Sequence, residues 1–200
     1  VHRVFVRVFH WVNALGMTLM IMSGWRIYNA SPLFEFKFPN EITLGGWLGG
    51  ALQWHFAAMW LLVINLLIYV IVGFATGHFR KRFTPVSPSS VAADMAKALK
   101  GKLPHSTTTY NAVQKASYIG VLLAIILAIV SGSVVWKPVQ LQELAVLMGG
   151  YEGARLVHFF SMAAICAFIV LHLTLVLLVP STLIPMIMGW ARKSKHEPEA

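Results

Sequence analysis

Eight histidines occur in this chain of 200 residues, and four of them, His10, His55, His158 and His172, stand inside long apolar runs. A polar ring at membrane depth is costly and points to function by default. The other four, His2, His78, His105 and His196, fall in termini or connections and read as solvated surface. His158 and His172 are 14 residues apart. On a helix that spacing brings them to nearly one face, about 40° from coincidence and about 21 Å apart along the axis. Successive runs must alternate in direction, which sorts the histidines by depth. His10 opens the first run and His172 lies late in the fourth, so they share one level. His55 opens the second run and His158 lies early in the fourth, so they share the other. Two imidazoles facing each other at one depth can take both axial positions of a haem iron. Two such pairs, His10/His172 and His55/His158, describe two bis-histidine haems stacked across a membrane.

Neighbouring residues suit the same chemistry. Gly24 and Gly73 fall 14 and 18 residues after His10 and His55, on or near the same helix faces, and small residues leave room for a flat macrocycle. Arg7 and Arg155 each precede a histidine by three residues. That spacing shares a helix face, so each guanidinium is placed to pair with a haem propionate. The one cysteine, Cys166, reads as a small buried apolar residue. No C-x-x-C-H sequence occurs, so any haem is held without a thioether bond.

The elements that must position these groups are membrane helices. Hydrophobic residues make up 58% of the chain and charged residues only 12%, against roughly 25% charged in soluble domains. That balance excludes disorder, a nucleic-acid-binding tail and an ordinary cytosolic enzyme. Spans are expected at about 4–28, 53–76, 116–136 and 154–179, with Pro180 ending the last. The connection 77–112 is rich in Lys and Arg. With four spans, that connection and both termini share one side, which carries 12 of the 16 Lys and Arg residues. The positive-inside rule makes it the cytoplasmic side, which explains the basic loop better than nucleic acid does. Residues 91–103 read as a short surface helix, and residues 181–192 as an interfacial helix anchored by Trp190 and Arg192. The expected fold is thus an all-α membrane protein, a four-transmembrane-helix bundle with cytoplasmic termini. Residues 1–192 form one di-haem domain and 193–200 a basic tail, whose closing Glu-Pro-Glu-Ala resembles an affinity epitope. No cleavable leader is expected, because the first apolar run holds His10 and Asn13.

Several motifs then carry a resemblance. Arg7-x-x-His10-Trp11 with Ser23-Gly24, Trp54-His55-Phe56, Tyr110-Asn111-Ala112-Val113-Gln114-Lys115, and Arg155-x-x-His158 with His172 together resemble the bacterial four-helix di-haem b-type cytochromes. That group includes cytochrome b561, the cytochrome b subunits of nickel–iron hydrogenases and the gamma subunits of formate dehydrogenases. The resemblance covers roughly residues 3–179. It implies the same two ligand pairs, and electron passage between an outside partner or donor and a quinone. It also implies a quinone pocket by the cytoplasmic haem formed by Asn111 and Gln114, with Tyr110 and Lys115. The chain departs from that group in the connection 29–50, with Phe34, Phe36, Phe38 and Trp47, which is longer than the minimal form; chains of this type also resemble the cytochromes that accompany periplasmic molybdenum oxidoreductases of the sulfite-oxidase sort.

The expected function is therefore a respiratory electron conduit in the bacterial inner membrane. It carries two haem b, with quinone as substrate and a molybdenum oxidoreductase, hydrogenase or similar protein as periplasmic partner. The alternative is a stand-alone superoxide:quinone oxidoreductase, which needs a basic outer funnel. The outer side instead sets Arg26, Lys37, Lys137 and Arg155 against Glu35, Glu41, Glu143 and Glu152. A cation transporter would add carboxylates within the spans, and none is present. A purely structural anchor leaves the matched histidine depths unexplained.

Overall fold

A chain crossing a bilayer has no water to satisfy its backbone N–H and C=O groups, so each apolar run is driven into helix. The computed structural model describes residues 4–75, 112–178, 180 and 183–189, with the side chains at 73, 112–116 and 118 outside that description. Helix α1 is Val4–Ala30, and a single 3₁₀ turn follows at Asn40–Ile42. Helix α2 is Leu48–Ala75, α3 is Ala112–Trp136, α4 is Gln142–Leu147, α5 is Gly150–Leu178 and α6 is Leu183–Ile187. No strand occurs among the described residues. Helices α1, α2, α3 and α5 hold 27, 28, 25 and 29 residues. Each is roughly 40 Å long, enough to cross a hydrocarbon layer of about 30 Å. All four are long and apolar enough to span a membrane, as the composition requires of an all-α, four-span protein.

The side-chain distribution is that of a protein in lipid. The most buried positions are small, among them Ser23, Ala51, Ser131 and Ala154. Leu67, Ile71, Phe74, Leu123, Val170 and Leu177 are more than half exposed. Lipid tails are as apolar as leucine, so no hydrophobic force drives large side chains inward and helices approach through small residues.

Packing divides the chain into two units. In the first, α1 lies against α2, and the end of α5 from His172 joins them with α6. A buried amide clasps α1 to α2: Asn65 Nδ2 donates to Phe9 O at 3.1 Å and to Asn13 Oδ1 at 2.8 Å. The α1–α2 connection folds back on the end of α1. Asn29 pairs with both backbone groups of Phe38, at 2.8 and 2.9 Å, and the Phe38 ring stacks on Trp25 with centroids 4.8 Å apart. Gly45 then turns the chain into α2 with φ +108°. A Cβ there would collide with the backbone of Ala51. The second unit holds α3, α4 and α5 as far as Leu171. Its core is Val134, Ala145 and Ala154, one residue from each of these helices.

Several boundaries differ from the sequence expectation. Helix α2 starts at Leu48 rather than near 53, because Trp47 closes over Gly49 and Gly50 packs on the Gly45 carbonyl. Those glycines serve close packing rather than a loop. Helix α5 starts at Gly150 rather than 154, with Glu152 in its first turn. The C-terminal interfacial helix is a five-residue turn, Leu183–Ile187, inside the broader expected segment. The expected surface helix at 91–103, most of the basic connection and the basic tail lie outside the described residues.

Candidate functional site

The first unit brings His10 and His172 together. Their ring centroids are 6.1 Å apart, with planes at 62°. His10 sits in the second turn of α1 and His172 near the end of α5, as the depth argument requires. The Trp11 ring meets His10 edge-on at 5.4 Å.

His55 stands on α2 against a Ser-Gly pair of α1. Ser23 Oγ bonds the Leu19 carbonyl at 2.6 Å and His55 Nδ1 at 3.0 Å. A hydroxyl has one proton to give, and the shorter bond, to a carbonyl that can only accept, takes it. The His55 bond must then run from ring to serine, so Nδ1 carries the proton. Gly24 is the next residue, and a Cβ there would meet His55 Cε1 at 3.4 Å.

The second unit repeats this arrangement with different helices. Ser131 Oγ of α3 donates to Leu127 O at 2.5 Å and lies 3.3 Å from His158 Nδ1 on α5. The same Nδ1 is 2.9 Å from the Ala128 carbonyl. A carbonyl can only accept, so the proton again rests on Nδ1. Gly132 follows, and a Cβ there would meet His158 Cε1 at 2.9 Å. In a neutral imidazole, a proton held on Nδ1 leaves the Nε2 lone pair for a metal.

The two arginines have defined protein partners. Arg7 Nε donates to Met186 O at 3.3 Å, Arg7 Nη2 donates to Ile187 O, and Trp11 Nε1 donates to Met186 O at 3.3 Å. The start of α1 therefore holds the end of α6. Arg155 Nη1 forms an ion pair with Glu152 at 2.8 Å. Arg26 binds Asn40 Oδ1 at 2.5 Å and the Gly46 carbonyl. Lys137 Nζ lies 5.0 Å from the centroid of the Trp136 ring. Asn111 lies outside the described residues, as do the side chains of Gln114 and Lys115 and that of Gly73.

Ser131, Gly132 and Asn65 escape a reading built on histidine spacing. A signal for the first two does exist, since Ile-x-Ser-Gly occurs twice, at Ile21–Gly24 and Ile129–Gly132. Serine in a membrane helix otherwise reads as ordinary packing. A family model described as prokaryotic cytochrome b561 matches residues 1–189. The chain belongs to that family.

The cytochrome is accordingly a membrane electron-transfer subunit, and its family implies haem b. It is similar to YedZ1 of Azospira oryzae, named as a proposed protein-methionine-sulfoxide reductase subunit. The identity is 52% over 190 residues, covering 94% of this chain and 96% of that protein. It is also similar to the formate dehydrogenase cytochrome b556(fdo) subunit of Escherichia coli strain K12, with 22% identity covering 96% of this chain and 86% of that one.

The residues of the cytochrome fit haem b. The His10 and His172 rings, with centroids 6.1 Å apart, would be the pair that holds one haem iron. Among the described residues no group of three or more His, Cys, Asp or Glu side chains could hold a bare metal ion. A pair of imidazoles instead suits a macrocycle that brings its own equatorial ligands. Trp25 Nε1, next to Gly24, is buried with no hydrogen-bond partner, and buried donors of this kind are ordinarily satisfied. An acceptor on a bound group would satisfy it.

Proposed function

We propose that this cytochrome holds two haem b groups, through His10 with His172 and His55 with His158, and passes electrons from membrane quinol to a periplasmic methionine-sulfoxide-reducing partner. The observation that carries the reading is the state of the membrane-embedded imidazoles. Two have Nδ1 beside an acceptor, Ser23 Oγ and the Ala128 carbonyl, and the other two face each other with ring centroids 6.1 Å apart. Haem b held by two imidazoles supplies one-electron transfer and offers no open position on iron for oxygen chemistry.

The chain supplies everything around that chemistry. The four histidines bind and orient, and the apolar helices exclude water. Arg7 and Arg155 lie three residues from ligands and supply counter-charge for propionates that reach the membrane edge. Asn111, Gln114 and Lys115 provide hydrogen-bond donors for a quinone carbonyl on the side where protons are exchanged with water. The excess of basic residues on that side supports its reading as the cytoplasmic side of a bacterial inner membrane.

The likeness to YedZ1 across nearly the whole of both chains supports this partner. Reducing a sulfoxide to a thioether consumes electrons and protons, so the direction runs from quinol outward. A funnel for anionic superoxide is not favoured, because Arg26 is held by Asn40 and Lys137 lies by the Trp136 ring.

Membranes containing the cytochrome and a methionine-sulfoxide reductase partner test the reading. Haem is expected to be reduced by added quinol and to reoxidise when methionine sulfoxide is supplied, whereas in a His172→Ala variant, which would lack the haem beside the quinone site, quinol is expected to leave the remaining haem oxidised. Wild-type haem that stays reduced beside an active partner would contradict it.

A further inference from the structure

The Ser-Gly pairs are built twice, in separate units and at different spacings. Ser23 precedes His55 by 32 residues, and Ser131 precedes His158 by 27. In each case the serine gives its proton to the carbonyl four residues back in its own helix, Leu19 or Leu127. That leaves the oxygen a fixed acceptor aimed at the neighbouring ring. Both hydroxyl-bearing residues are buried, at 0% exposure, so water does not compete for the ring N–H. In each case Cε1 of the ring lies over the following glycine, where an added Cβ would stand 3.4 Å away at Gly24 and 2.9 Å away at Gly132. A lone serine–histidine contact is commonplace, but two copies that agree in donor, acceptor and adjoining glycine constitute a device.

We propose that Ser23 and Ser131 are positioning residues for His55 and His158, holding both rings with Nε2 presented to iron and lowering the redox potential of the haem they bind. The proposal rests on the reading that these two histidines are haem ligands. An acceptor on Nδ1–H makes the ring a stronger donor to its metal. Stronger donation favours the oxidised iron, and hydrogen bonding around the ligands is one of the levers that set haem potential.

The test is a potentiometric titration of purified, haem-replete protein, with the low-spin ferric electron paramagnetic resonance signals read in parallel. Ser23→Ala is expected to keep the wild-type haem content and to move one midpoint potential upward. Ser131→Ala is expected to move the same midpoint upward, in part only, because the Ala128 carbonyl remains on His158. Ser→Thr at either position keeps the hydroxyl and is expected to restore the potential and the resonance position. Should an alanine variant insert poorly, Ser→Cys, close in volume and a weaker acceptor, is expected to shift the same midpoint in the same direction. Unchanged potentials and resonances in haem-replete variants would overturn the proposal while leaving the haem reading intact. A wild-type protein without haem would overturn the haem reading itself.

Discussion

An acceptor on one imidazole nitrogen leaves the other free to bind iron, and His55 and His158 both have Nδ1 beside such an acceptor. The adjoining glycines are not equivalent. At Gly132 a Cβ would stand 2.9 Å from His158 Cε1, whereas at Gly24 the distance to His55 Cε1 is 3.4 Å. The first cannot be accommodated without moving the ring; the second is ordinary contact. Gly132→Ala is therefore expected to lose or perturb one haem, and Gly24→Ala to retain both. A pyridine haemochrome assay per mole of protein measures this, and full haem content with an unaltered spectrum in Gly132→Ala would contradict it. The histidines are legible in the sequence because a ring inside an apolar run has few ordinary uses. The serines are not, because a hydroxyl that bonds back to its own helix leaves no trace in composition.

At the scale of elements, the start of α2 depends on one backbone conformation. Gly45 has φ +108° and its missing Cβ faces the Ala51 backbone, so Gly45→Ala should cost about 2 kcal/mol. Thermal unfolding of the detergent-solubilised protein would show a lowered midpoint, and an unchanged midpoint would contradict the turn described. The α1–α2 clasp is smaller. Asn65→Leu should cost about 1 kcal/mol, in the range for interhelical hydrogen bonds in membranes. Spanning helices were legible because their apolar runs outlast what any soluble helix needs. Helix α4, six residues long, was not foreseen, since so short an element is set by tertiary packing on Val134 and Ala154. The early starts of α2 and α5 were hidden too. Gly49, Gly50 and Glu152 resemble loop residues until Trp47 and Arg155 are seen closing on them.

For the whole molecule, charge asymmetry and function make linked demands. Under the proposed function the basic side is cytoplasmic, where quinone would exchange protons, and the partner would dock on the opposite side. A cysteine at position 97 is expected to react with a membrane-impermeant maleimide only in inverted vesicles, and one at position 37 only in right-side-out cells; the reverse pattern would contradict the topology. The central claim is the paired ligation of two haems, and the most direct test is haem stoichiometry. The purified chain should bind two haem b, and His172→Ala should bind one, with the remaining spectrum that of an intact bis-imidazole centre. A wild-type stoichiometry of one or none, or a His172→Ala protein that keeps both haems unaltered, would contradict the account.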